Sequence, residues 1–137
     1  MYLQVKDRPC AVFPSDQRVT VPAEDLYSYP DVTIVCGDAE FEDQREETLL
    51  NPTVIFEVLS KSTEAYDRGV KFEYYRTVAS LKEYILVAAD KPHVEHYLCQ
   101  PNGTWVLSEF KRLDETVPLP SIGCTLEMKD VYLKVKL

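Results

Sequence analysis

A carboxylate in the middle of an apolar strand constrains this chain more than any other feature. Thr53 to Leu59 reads TVIFEVL, with the length and β-branched content of a buried strand, and Glu57 stands where a core residue is expected. Successive side chains of a strand point to opposite faces, so Val54, Phe56 and Val58 share one face and Ile55, Glu57 and Leu59 the other. A charge taken out of water is costly unless a metal, a cation or hydrogen bonds compensate it. Any fold built on this strand must bring a partner to Glu57.

The next segment supplies candidates. After a polar turn, Ser60 to Thr63, the residues Tyr66, Val70 and Tyr74 recur every four positions, joined by Tyr75 and Val78. This spacing predicts a helix over about 63–78 with those residues as its apolar stripe, weakened locally at Gly69. Asp67, Lys71 and Tyr75 are also four apart and line up on one face. Strand and helix together therefore offer an acid and a base. Two plainer readings stand beside this one: a buried ion pair between Glu57 and Lys71, and a surface pair between Asp67 and Lys71.

The rest of the chain reads as strands. Cys10 to Phe13 and Arg18 to Val21 are short β-like pieces that a Pro-Ser-Asp turn could join into a hairpin. Val21 to Tyr29 reads as a connection, Val32 to Cys36 as a strand buried on both faces, and Gly37 to Asn51 as a polar surface loop. Glu83 to Ala88 is another buried strand, and Gln100-Pro101-Asn102-Gly103 marks a hairpin between His93–Leu98 and Thr104–Phe110. Pro118 and Pro120 interrupt the following stretch, and Leu126 to Leu137 fits a short helix or a closing strand equally well. Strands, one helix, then more strands indicate an α/β or α+β fold, a mixed sheet with a helix on one face, in a single domain over 1–137.

Fifteen Lys and Arg against twenty-three Asp and Glu give a net charge of −8. That balance disfavours indiscriminate attachment to a phosphate backbone, although bound divalent cations would reverse the field in one groove. No apolar run is long enough to span a membrane, and the first ten residues lack the apolar core of a signal peptide, which points to the cytoplasm. The four cysteines, at 10, 36, 99 and 124, form no CxxC pair and are expected as reduced structural thiols rather than zinc ligands.

Asp31, at the mouth of one buried strand, and Glu57, within another, would converge if those strands are neighbours. Hard oxygen ligands of this kind suit Mg2+ or Mn2+, an ion that lowers the pKa of bound water and stabilises charge on a phosphate. Lys71 would reach the same point and orient or deprotonate a water. Asp31 is equally readable as a turn residue capping a backbone donor. His93 and His96 are expected on opposite faces of a strand and so not on one ion, and Ser60 lacks the strained turn of a hydrolase nucleophile. Arg45 and Lys61 are loop cations within reach of a phosphate, and Tyr66, Tyr74, Tyr75, Tyr84 and Trp105 read as core or groove wall.

These residues resemble a known pattern. Tyr29-Pro30-Asp31-Val32, Asn51-Pro52, Phe56-Glu57-Val58-Leu59-Ser60, Ser62-Thr63, Asp67, Lys71, Tyr75 and Glu83-Tyr84 are similar to the motifs of the Uma-two family of bacterial endonucleases, over about 29–98. That family sits in the PD-(D/E)XK restriction-endonuclease-like superfamily. The resemblance implies a restriction-endonuclease-like core, a central mixed sheet with flanking helix, and a Mg2+- or Mn2+-dependent site cleaving DNA phosphodiesters. It makes Pro30-Asp31 the "PD" and Glu57 the "(D/E)", with Asp31 and Glu57 on the metal. The pattern's lysine is expected two residues on, where this chain has Leu59; Lys71 resembles the migrated lysine of superfamily variants. The resemblance also implies an N-terminal helix packed on the sheet. This chain starts almost at its first strand, so an N-terminally truncated domain is expected, with one sheet face open to a partner or a second copy. A catalytically degenerate member that binds protein or nucleic acid is the alternative.

Overall fold

The computed structural model describes residues 9–133. In chain order these form β1 (Cys10–Phe13), β2 (Arg18–Val21), β3 (Leu26–Ser28), β4 (Val32–Cys36), β5 (Thr48–Leu49), β6 (Val54–Leu59), α1 (Glu64–Arg68), α2 (Val70–Tyr75), β7 (Glu83–Ala88), β8 (Val94–Cys99), β9 (Trp105–Phe110), β10 (Thr116–Leu119), β11 (Cys124–Glu127) and α3 (Met128–Val131). Six strands make one sheet in the order β1-β4-β6-β7-β8-β9. Its pairs are antiparallel except β6 with β7. Parallel neighbours cannot be joined by a tight turn, and α1 and α2 form the crossover that this pair requires.

Each face of the sheet carries its own apolar cluster. Ile34, Val54, Phe56 and Ile85 pack with Val117, Leu119, Met128 and Tyr132, so the β10–β11 hairpin and α3 cover one face. Val35, Ile55, Leu59 and Leu86 pack with Phe72, Tyr75, Val19, Val21 and Leu49, so α2 and a small sheet, β3-β2-β5, cover the other. The division of β6 into two faces matches the alternation expected of a strand. Glu57 therefore projects to the α1–α2 side. β9 closes the sheet as an edge strand, with Val106 and Leu107 half exposed.

Several expectations are corrected. The single helix over 63–78 is two short helices broken at Gly69, whose φ and ψ of −101° and −96° leave the helical region. A Cβ there would lie 3.0 Å from the Ala65 carbonyl oxygen, a close approach that only glycine tolerates without displacement. The buried side is only part of the expected stripe: Tyr75 is buried and Tyr74 and Val78 pack against the core, but Tyr66 and Val70 are each 45% exposed, and Asp67 and Phe72 are buried instead. The helices turn their charged line inward because Glu57 lies beneath it. β1 and β2 form no hairpin with each other. β1 pairs with β4, whereas β2 pairs with β3 and β5, both inside segments expected to be irregular. The Gln100–Gly103 hairpin forms as expected, with Gly103 at φ +86°. The tail contributes both β11 and α3, and its last four positions, 134–137, lie outside the described residues.

The cysteine expectation fails for one pair. Cys10 and Cys36 are directly opposed in the β1–β4 register and form a disulfide, while Cys99 and Cys124 are free thiols. A sequence separation of 26 hides a pairing that only the sheet register creates. Closing a loop of that size restricts the unfolded chain by about 3 kcal/mol. Cys10→Ser is therefore expected to lower stability by about that amount in non-reducing denaturant titrations, and reductant should bring the wild type to the same value. Equal midpoints with and without reductant would show that the bond adds nothing. No helix among the described residues is long and apolar enough to cross a membrane.

Candidate active site

Antiparallel pairing of β4 with β6 sets Val32 opposite Phe56, and so places Asp31, one residue ahead of β4, beside Glu57. The two residues interlock. The Asp31 backbone N–H donates to Glu57 Oε1 at 3.1 Å, and the Val58 backbone N–H donates to Asp31 Oδ2 at 2.7 Å. Asp31 is exposed, whereas Glu57 is 3% exposed. The Lys71 ammonium, on α2, donates to Glu57 Oε2 and lies 3.6 Å from Asp67 Oδ1. With 12% of its side chain exposed, Lys71 is nearly enclosed. The structure thus brings Asp31, Glu57 and Lys71 together and adds a buried Asp67. Three plainer readings are touched: the Glu57–Lys71 ion pair exists, the Asp67–Lys71 pair is not on the surface, and Asp31 does accept from a backbone donor, that of Val58.

Charges here are mutually dependent. Burial pushes the Glu57 carboxyl above its usual range, opposed by the Lys71 charge and hydrogen bond and reinforced by Asp67. Burial also raises Asp67, again opposed by Lys71. For Lys71, burial alone would lower the pKa, but the Glu57 charge and hydrogen bond, with Asp67, outweigh it and the net shift is upward. Lys71 is therefore a held cation with no lone pair to offer as a base. Carboxylates such as those of Asp31 and Glu57 are the class of hard donor that Mg2+ or Mn2+ would take. The Lys71 ammonium now supplies the positive charge that such an ion would bring.

The surroundings are aromatic and packed. Phe72 stacks on Tyr84 at 4.8 Å and meets Trp105 edge-on at 5.3 Å, and the Tyr84 hydroxyl donates to the Asp67 carbonyl at 3.0 Å. Tyr75 shares a hydrogen bond with the Ser28 hydroxyl. Tyr75, Tyr84 and Trp105 are thus core and wall, as expected. Ser60 bonds with the Ser62 and Thr63 hydroxyls ahead of α1, an arrangement without a base. Arg45 and Lys61 are exposed in their loops.

Sequence reasoning missed two polar clusters. Arg68 forks onto Glu95 with three hydrogen bonds of 2.7 to 3.1 Å and also pairs with Glu64. Glu83, fully buried at the head of β7, lies 2.5 Å from His96 Nε2 and accepts from the Ser121 amide at 2.9 Å and from its hydroxyl. The available signal was the one that singles out Glu57: an acid inside an apolar strand run, here EYILVA. His93 and His96 do part company as expected, His93 turning to Glu109 and His96 to Glu83.

A mixed sheet whose one parallel pair is joined by short helices, with acids gathered at the carboxyl end of its central strand, defines a restriction-endonuclease-like protein. The chain belongs to the Uma2 family, described as "Putative restriction endonuclease", whose profile matches residues 2–129. Two uncharacterized proteins of Synechocystis sp. are 36% identical over 108 residues and 31% identical over 123 residues. These alignments cover 79% and 90% of this chain but 61% and 63% of the relatives, so the chain spans about three fifths of their length. The fold is that of a crystal structure from Anabaena variabilis titled "a putative nuclease belonging to DUF820". That match has a TM-score of 0.75 at 20% identity and covers 96% of this chain and 73% of the other.

Proposed function

We propose that this chain is a divalent-metal-dependent nuclease domain acting on DNA, with Asp31 and Glu57 as Mg2+ or Mn2+ ligands and Lys71 orienting the attacking water. The observation that carries this reading is the convergence of a buried strand carboxylate, an exposed acid and an enclosed lysine, Glu57, Asp31 and Lys71, at one sheet end. The bound ion would activate water and offset charge on the phosphate. The exposed Asp31 faces incoming substrate. Lys71 acts as a cation: its donors hold Glu57 in place and, when free of it, orient water and stabilise phosphate oxygens.

The correspondence with the PD-(D/E)XK pattern is supported by burial. Leu59, where the pattern's lysine is expected, is packed in the apolar cluster, and Lys71 reaches Glu57 from the helix instead. The cytoplasm is the address consistent with a DNA substrate. The second reading is a binding module without catalysis, favoured by one observation: the Lys71 ammonium occupies the Glu57 oxygen as its ion-pair partner.

Calorimetry with Mg2+ and Mn2+, paired with cleavage of plasmid DNA, separates the two. Wild type should bind one ion at this site and nick DNA. Asp31→Asn and Glu57→Gln should lose that binding, and Lys71→Met should keep it while cutting about 100-fold to 1,000-fold more slowly. A folded wild type that neither binds nor cleaves would leave the binding module standing.

A further inference from the structure

We infer that His93, Glu95 and Glu109 form a second cation site, suited to Zn2+ or a similar transition-metal ion. Glu95 and Glu109 are directly opposed in the β8–β9 register, and His93 lies just ahead of β8. His93 Nε2 is 2.9 Å from Glu109 Oε1 and 3.8 Å from Glu95 Oε1, and the three ligand atoms lie within 4.8 Å of one another. Zinc bonds of about 2.0 to 2.2 Å place tetrahedral ligand atoms roughly 3.4 Å apart. The geometry therefore needs only a small shift, and Glu109, with 44% of its side chain exposed, is free to make it and leaves an entry path.

The energetics point the same way. Like charges directly opposite on antiparallel strands repel, and a cation between Glu95 and Glu109 removes that repulsion. Arg68 pairs directly with Glu95 and acts on Glu109 only from a distance, alongside Lys111 and the His93 hydrogen bond. Its fork fixes the Glu95 carboxylate, with the Tyr97 hydroxyl donating to Oε2 at 3.4 Å. An imidazole with two carboxylates selects zinc-like ions over Mg2+, which prefers oxygen alone.

The site is separate from the candidate active site yet mechanically joined to it. Glu57, Leu86, Glu95 and Glu109 stand in one register row across the sheet. Above that row, successive residues of α1 serve different ends: Asp67 meets Lys71 and Arg68 meets Glu95. An ion at His93 would hold the Glu95 end of this arrangement fixed.

The test is Zn2+ calorimetry on the untagged, disulfide-intact chain in excess Mg2+, with Co2+ absorption as a second readout. One ion per chain is expected. Affinity should fall about tenfold or more in His93→Ala and in Glu109→Gln, the latter at an exposed position that leaves the core intact. It should be unchanged in Asp31→Asn and in Cys99→Ser. A folded wild type without stoichiometric binding overturns the inference, as does binding that survives in both His93→Ala and Glu109→Gln. Loss in Asp31→Asn would assign the ion to the candidate active site instead. Binding is read without DNA, so failure of cleavage leaves this result standing.

Discussion

Lys71→Met is expected to cost about 3 to 5 kcal/mol of stability near pH 8, because it strands two buried carboxylates, Glu57 and Asp67, without their cation. The sign of its pH dependence is set by the shifts. In the wild type the raised Lys71 pKa means that its contribution is complete below the usual value of 10.5 and is lost as pH rises through the folded value. The raised pKa of Glu57 likewise gives a contribution present below 4.5 and lost as pH rises through its folded value. Removing the ammonium drives both carboxyls further up, so they take up protons in mild acid and cease to be unpaired charges. The deficit of the variant should therefore shrink between pH 8 and pH 5 in urea titrations. A deficit independent of pH would mean that lost packing, not stranded charge, explains it. Adding Glu57→Gln to Lys71→Met should recover part of the loss at pH 8.

The second large effect is expected at Glu83. This carboxylate is fully buried and serves His96 with one oxygen and Ser121 with the other. Ser121 lies in the turn Pro120–Ile122 between β10 and β11, so Glu83 ties that hairpin to the head of β7. Glu83→Ala leaves an imidazole and an amide without partners in the interior, at a cost of about 3 to 5 kcal/mol. Glu83→Gln retains an acceptor for Ser121 and should cost only about 1 kcal/mol. Chemical denaturation of the two variants checks the difference. Similar, small losses would show that the hairpin is held by its apolar contacts alone.

What was legible in the sequence depended on range. The alternation in β6, the buried run of β7 and the Gln100–Gly103 turn are local signals, and each appears where expected. The Asp31–Glu57–Lys71 grouping was legible because one charge in an apolar strand demands a partner and the helix offered one four residues from Asp67. The errors lie where distant segments decide. The Cys10–Cys36 bond and the pairing of β2 with β5 depend on registers that no local pattern encodes. The N-terminal part of the stripe, Tyr66 and Val70, misled because periodicity marks a buried face only when the neighbouring surface is apolar. Here the surface beneath presents Glu57, and the charged line wins. His93, Glu95 and Glu109 were hidden for a related reason: their proximity is a cross-strand event.

The outermost strand, β9, offers one flank of its backbone with no strand alongside it among the described residues. A flank of that kind, with Val106 and Leu107 half exposed, invites another chain to add itself and begin aggregation. Glu109 is the one charge within β9, and it repels such an addition. One side chain thus serves two ends, coordination on its inner side and colloidal solubility on its outer. An apolar substitution at this position would surrender both, and purified protein carrying it should show the loss first as concentration-dependent light scattering.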